Sequence, residues 1–389
     1  MSVTEERLVG GYSGRLLLAI SVGWAFIQAG RLVVSPLLPE ISGQFGLSPT
    51  EEGLTVTTIW FVYACLQYPS GRLSDVLTRT TLLVAGLCVI AVGFLVFAGA
   101  PTYLVVLVGA VLVGFGAGLY PTPARGLVSD LYVERRGQAF GLHTASGDVG
   151  GVIAAGLAVA TLAVASWRGA FLPVAVVLLS VALALHVWSR EGYHVESVDL
   201  EVRATARRLL GDPGTRRLIL AYALYAFTWQ AATGLLPTFL RRSKSFSPAI
   251  ATASFGTLFV VGAVVKPVAG GLGDRVRRDR LAPAALLLAA VALTGVVLAS
   301  SELAVTVGVV VFAAGLMSYP PVMQAYLMDT FPTESMAGDL GGMRSLYIGL
   351  GSLGPTAVGF VAGRADYAVA FAGLAGCLLV AVALILTGE

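Results

Sequence analysis

Apolar residues in this chain come in long blocks, each ended by a short stretch holding Gly, Pro or clustered arginine. A helix rises 1.5 Å per residue, so about 20 apolar residues cross a bilayer core. On that measure the pattern predicts twelve spans: 16–38, 53–71, 80–99, 102–128, 138–165, 169–189, 216–240, 248–270, 281–300, 303–328, 338–362 and 366–387. Most connections are short. The exception, 190–215, is polar, Arg-rich and partly helical in pattern, and it separates two sets of six. Residues 1–190 therefore read as one six-helix bundle, 191–215 as a linker on the membrane surface, and 216–389 as a second bundle. Ser48, Pro49 and Glu51 form a capping-box pattern where the second span begins.

Composition agrees with a membrane solvent. The chain is 57% hydrophobic and 12% charged, with mean hydropathy +0.84, whereas a soluble domain carries about twice that charge. The 47 glycines suit helices that pack backbone to backbone. Cys65, Cys88 and Cys377 are scattered through apolar segments, and the three histidines (His143, His186, His194) form no ligand motif. Neither a disulfide framework nor a metal site is expected. The polar first 15 residues and the absence of a small-residue cleavage site make the first span a retained helix rather than a signal peptide. There is no G-x-S-x-G and no paired His, so no enzyme is expected, and neither a cofactor nor a nucleic-acid partner.

Basic residues set the orientation. With both termini in the cytoplasm, 16 of the 25 lie inside, counting Arg216 and Arg217 at the inner edge of the seventh span, five outside and four deeper within spans. Arg241, Arg242 and Lys244 are an exception on the outer side.

A signature is repeated 199 residues apart. Gly71-Arg72-Leu73-Ser74-Asp75 corresponds to Gly270-Gly271-Leu272-Gly273-Asp274. Leu37-Leu38-Pro39 matches Leu235-Leu236-Pro237, Ser48-Pro49 matches Ser247-Pro248, Tyr120-Pro121 matches Tyr319-Pro320, and Asp130 matches Asp329. Six spans per copy is an even number, so both copies insert the same way. Such parallel repeats are related by a pseudo-two-fold axis along the membrane normal, with the site expected between them near the midplane.

These residues resemble the major facilitator superfamily of secondary transporters over nearly the whole chain. The family's loop G-x-L-a-D-R-x-G-R-[RK] is met by Gly71, Leu73, Asp75 and Arg79, with Val76, Thr78 and Thr80 departing from it. The second copy keeps Gly270, Leu272, Asp274, Arg275 and Arg278. Trp167-Arg168-Gly169-Ala170-Phe171 is similar to the family's W-R-x-x-F, and Arg135-Arg136-Gly137 to the R-G after the fourth helix. Two departures count against a drug exporter. Ala110 stands where an Arg often precedes Gly114 by four, and Gly147-Asp148-Val149-Gly150-Gly151 lacks the Pro of drug/proton exchangers. The resemblance implies a cytoplasmic latch at the two loops, with the glycines allowing close helix approach and the carboxylates accepting bonds from a neighbouring helix or Arg. Gly71, Asp75, Arg79, Arg125, Asp130, Gly270, Asp274 and Arg275 are the gating candidates. The alternative is local capping.

A charge at the bilayer centre costs about 3 kcal/mol on insertion scales. Apart from Asp366 at the first position of the twelfth, the third, sixth, ninth and twelfth spans hold none and are expected to face lipid. The membrane charges fall on the first, fourth, fifth, eighth and eleventh spans, which in the family line the cavity or the contact between halves. Trp24, Gln28, Arg31 and Ser35 recur at helical spacing, and Arg31 lies about 12 Å inward from Pro39. The repeat sets Arg31 against Trp229, and Tyr222, Tyr225 and Trp229 share a helix face. Lys266, whose counterpart is Gln67, and Arg344, one turn before Tyr347, add two more cations. Asp148 is the one deep carboxylate, a proton carrier or a fixed ion-pair partner. An excess of cations with aromatic surface predicts an anionic substrate. The substrate candidates are Arg31, Gln28, Trp24, Trp229, Tyr225, Lys266, Arg344 and Tyr347, with Asp148 for proton coupling.

The expectation is a monomeric, multi-pass plasma-membrane transporter of a small organic anion, a carboxylate or phosphate ester. It would work by alternating access as a proton symporter or anion exchanger. A multidrug or metabolite efflux antiporter of the same fold is the alternative.

Overall fold

A computed structural model describes residues 6–164, 166–198, 200, 202–330 and 336–387, excluding the side chains of Asp75, 328–330 and 336–339. The described residues form helices and connecting turns, with no strand among them. In chain order these are α1 Gly11–Leu32, α2 Val34–Phe45, α3 Pro49–Val76, α4 Arg79–Gly99, α5 Tyr103–Leu119, α6 Pro121–Leu131, α7 Arg136–Ala163 and α8 Phe171–Trp188. There follow α9 Val202–Gly211, α10 Pro213–Ser243, α11 Pro248–Gly273, α12 Arg278–Leu298, α13 Glu302–Thr330, α14 Met336–Gly351, α15 Gly354–Ala362 and α16 Tyr367–Leu386. The linker is helical over α9, with Thr205 and Leu209 buried.

Among the described residues, 11 helical stretches are long and apolar enough to cross a membrane. The remaining predicted span lies in the 28-residue α3, whose Thr, Tyr and Gln residues dilute its apolar character. The protein is therefore an all-α, multi-pass membrane protein with the twelve-helix layout. Exposed surfaces are apolar: Leu172, Val176, Leu179, Leu183 and Val187 run down one face of α8. In water such a stripe would be costly, but in lipid it is the expected outer face.

Three of the helix breaks lie beside a proline. Pro36 follows the α1–α2 break, Pro121 opens α6 and Pro355 lies in the first turn of α15, because proline supplies no N–H and clashes with the carbonyl four residues earlier. Yet Tyr319-Pro320, the repeat counterpart of Tyr120-Pro121, lies inside the continuous α13.

Caps match the sequence pattern. The Ser48 backbone N–H donates to Glu51 Oε2 at 2.8 Å, and the Glu51 N–H donates to Ser48 Oγ at 3.3 Å. The Ser48 N–H holds the Glu51 carboxyl below its ordinary value. Ser247 Oγ accepts from the Ile250 N–H at 3.3 Å at the start of α11.

Glycine sets the closest helix contacts. A Cβ on Gly116 would lie 2.5 Å from the Gly86 carbonyl oxygen, so α4 and α5 meet backbone to backbone. The same contact recurs 199 residues on, where a Cβ on Gly315 would lie 2.8 Å from the Ala285 oxygen between α13 and α12.

The chain packs as two compact units. One comprises Met1–Val33 and Val62–Leu200, the other Val34–Phe61 and Glu201–Glu389. Residues 34–61 thus group with the second unit, although the repeat assigns them to the first six spans.

Candidate functional site

In the first unit, Arg31 is 5% exposed in the last turn of α1. Its guanidinium donates to Gln28 Oε1 at 3.3 Å and lies 4.2 Å from the centroid of the Tyr63 ring. A guanidinium stacked on a ring is a cation–π contact, strongest where water is excluded. Tyr63 was not among the predicted residues, and its place on α3 gave no charge signal. Two turns before Arg31, Trp24 stacks on Tyr120 with ring centroids 6.4 Å apart and planes 4° from parallel. Trp24 also lies 6.3 Å from His143 on α7. Ser35, the last residue of the predicted polar stripe, falls beyond the helix break, in α2 of the second unit.

Glycines bring α7 against α1. A Cβ on Gly147 would lie 2.5 Å from Trp24 Nε1, and one on Gly150 would lie 2.2 Å from the Ala25 carbonyl oxygen. Asp148, between them, is buried at 6% exposure. Arg125 on α6 is half-buried and within electrostatic reach of His143. His143 is itself 4% exposed, a buried polar group that sequence reasoning treated only as a non-ligand.

In the second unit, tyrosines converge from α10, α13 and α14. Tyr222 stacks on Tyr347 with centroids 3.9 Å apart and planes 2° from parallel. Tyr319 lies edge-on to Tyr222 at 5.3 Å and tilted on Tyr225 at 4.6 Å. Arg344 is close enough to act electrostatically on Tyr222. The predicted Tyr225, Tyr347 and Arg344 therefore belong to one cluster, and Tyr222 and Tyr319 complete it. Trp229 instead meets Trp60 edge-on at 5.0 Å. Lys266 is half-buried on α11, a helix that contributes no ring to the cluster.

The two signature loops share one device. Arg79 donates through Nη1 to the Ser74 carbonyl and hydroxyl. Arg278, 199 residues on, donates to the Gly273 carbonyl at 3.1 Å. Each arginine thereby satisfies a carbonyl left open at the end of the preceding helix. Their acidic partners differ. Arg79 Nε pairs with Asp130 at the end of α6 at 3.2 Å, whereas Arg278 pairs with Asp274 in its own loop at 3.1 Å. Arg275 is exposed, and Arg278 takes the contact with Asp274. The side chain of Asp75 lies outside the described residues. Close helix approach at the signature glycines is not what the described residues show. A Cβ on Gly71 would meet Thr122 Cγ2 at 4.0 Å, and one on Gly270 would meet nothing within 4 Å.

At the other end of α11 from Asp274, the second unit holds a charge cluster that sequence reasoning missed. Glu52 is fully buried. Its carboxylate accepts from Arg242 Nη1 at 3.2 Å, from Arg242 Nη2 at 2.5 Å and from the Tyr367 hydroxyl at 2.6 Å. Arg241 pairs with Glu40 at 2.7 Å. Lys244 donates to the Val297 and Ala299 carbonyls at 2.6 and 2.7 Å, capping the end of α12, and burial pulls its ammonium below the ordinary value. The three cations that break the positive-inside pattern are all engaged. The available signal was Glu40 and Glu52 in the connection after the first predicted span, opposite basic residues in its repeat counterpart.

Long lipid-facing helices, charged side chains buried inside them and a duplicated loop define a multi-pass membrane transporter. The chain belongs to the Major Facilitator Superfamily, whose profile matches residues 20–334 and 218–389, and it is a transporter rather than an enzyme. Among curated relatives, it is 27% identical over 293 residues to a probable sulfoacetate transporter, SauU, of Cupriavidus necator. That match covers 67% of this chain and 66% of the relative. It is 23% identical over 410 residues to the glycerol-3-phosphate transporter of Bacillus subtilis, covering 96% and 91% of the two chains. It is 26% identical over 337 residues to a gentisate transporter of Corynebacterium glutamicum, covering 82% and 70%. In fold it is similar to a bacterial homolog of the human lysosomal transporter Spinster, with TM-score 0.82 and 19% identity over 97% of both chains.

Proposed function

We propose that this protein moves a small organic anion, a carboxylate, sulfonate or phosphate ester, across the plasma membrane by alternating access. The coupling would be proton symport or anion exchange. One observation carries the reading: a guanidinium, Arg31, buried within a membrane-spanning helix and backed by an aromatic ring. Arginine stays charged in any protein environment and presents a fork of donors that matches a carboxylate or phosphate. The named cargoes of the relatives, sulfoacetate, glycerol-3-phosphate and gentisate, all carry such a group. In this reading the first unit contributes the Arg31 guanidinium, the Gln28 amide and the Trp24 ring. The second supplies aromatic and cationic surface through Tyr225, Tyr347, Arg344, Trp229 and Lys266. Asp148 is the candidate proton carrier.

Both termini are placed in the cytoplasm, on the strength of the basic-residue bias. Both signature loops then lie on the inner side, with Arg79–Asp130 as the gating pair of the first unit and Arg278–Asp274 as that of the second. The Glu52–Arg242–Tyr367 cluster lies outside as the opposing one. The test is uptake into proteoliposomes of radiolabelled sulfoacetate, glycerol-3-phosphate and gentisate. Wild type should take up at least one, and Arg31→Ala should lower that uptake about 100-fold, as expected for losing a charge-assisted contact worth about 3 kcal/mol. Equal uptake by the variant would remove Arg31 from the site.

A further inference from the structure

The first unit contains a second group suited to an oxyanion, set apart from Arg31. His143 is 4% exposed, and its Nδ1 is buried with no hydrogen-bond partner among the described residues. A buried polar nitrogen left unpaired is costly, so its retention calls for a compensating partner. Arg125 lies within electrostatic reach of the same imidazole. Ser21, one turn before Trp24 on α1, also buries a hydroxyl without a partner among the described residues. The Trp24 ring, tilted 35° to the imidazole, forms the wall beside it. The deep carboxylate Asp148 is five residues further along α7, about 140° around the helix at 3.6 residues per turn.

Resting on the anion reading above, we propose that His143 and Arg125 form a second oxyanion station in the first unit. It lies beside Trp24, seven residues before Arg31, hence about 10 Å along α1 towards its Gly11 end. An imidazole N–H and a guanidinium can both donate to one carboxylate, sulfonate or phosphate oxygen. The spacing is too long for both charges of one small anion, so the two stations act in turn as the cargo passes.

The test is calorimetric titration of the full-length protein in nanodiscs with sulfoacetate, glycerol-3-phosphate and gentisate. For whichever anion the wild type binds, His143→Phe should weaken Kd about tenfold, while His143→Gln, which keeps a donor, should stay within about threefold. His143→Ala should behave like Phe; if it fails to fold, the Phe and Gln pair decides. A His143→Phe protein that binds like wild type makes His143 a packing residue and overturns the station. If that happens while Arg31→Ala abolishes binding, the station alone falls. If wild type binds none of the three anions, the anion reading falls and the station with it.

Discussion

Trp24 and Tyr222 stand 198 residues apart at corresponding places in the repeat, and Tyr120 and Tyr319, like Asp148 and Tyr347, stand 199 apart. In the first unit the trio is a Trp–Tyr stack with a buried carboxylate on the facing helix. In the second it is three tyrosines packed on one another, the tightest pair 3.9 Å between centroids. Equivalent positions of one scaffold thus carry a Trp–Tyr stack beside a buried carboxylate in one unit and a tyrosine cluster in the other. The duplicated sequence specifies where a side chain stands, while its chemistry is free to differ between the two copies.

The largest expected effect tests that difference directly. Beyond the loss predicted for Arg31→Ala, its counterpart Trp229→Ala should raise KM only about fivefold, because it removes ring contact and no charge. Equal losses in the two variants would end the comparison. Next, Asp148→Asn should abolish accumulation driven by a pH gradient while sparing anion-for-anion exchange, and Tyr347→Phe should spare both. If Asp148→Asn transports normally under the gradient, the carboxylate is a fixed structural partner.

Stability gives a finer contrast. The Tyr120 hydroxyl donates to the Ile20 carbonyl at 2.8 Å, whereas the Tyr319 hydroxyl is buried without a partner among the described residues. Tyr120→Phe should destabilise by about 1 kcal/mol, and Tyr319→Phe should be neutral or stabilising; unfolding midpoints in a mild detergent distinguish them. Smaller again, Arg79→Ala should cost about 0.5–1 kcal/mol, since it unties α6 from the signature loop, and Arg278→Ala less, since its pair is local. The smallest concerns the matched serine caps. Glu51→Gln should cost about 0.5 kcal/mol near neutral pH. The folded-state value of Glu51 is depressed, so its contribution is full above the ordinary carboxylate value of 4.5 and fades as the pH falls through the folded value. Ser247, which has Ile250 where Ser48 has Glu51, should show no such dependence.

How much of the site could be read from the chain depended on cost. Arg31, Lys266, Arg344 and Asp148 stood out because charge inside an apolar block is expensive and therefore rare. Tyr63 carried no such signal, since aromatic rings are common in spanning helices, and His143 was weighed only as a metal ligand. Glu52 and Arg242 looked like ordinary loop charges. Only packing showed Glu52 to be fully buried and joined to Arg242 and Tyr367, 190 and 315 residues away.

Periodicity, span length and the 199-residue repeat by themselves pointed to a duplicated, all-helical multi-pass membrane protein of twelve spans, and the motif resemblance supplied the transporter class. Those features follow from a local rule: in lipid every backbone group must be bonded within its own helix, so length and apolarity are enough. Partners obey no local rule. Whether Arg79 meets Asp130 or a carboxylate in its own loop, and which ring Arg31 rests on, was decided by helices that approach only after folding. The same holds for residues 34–61, which pack with the second unit although the repeat counts them in the first. Side-chain pairing between helices distant in sequence depends on the geometry of their crossing, and glycines such as Gly147 and Gly150 set that crossing without announcing which neighbour they admit.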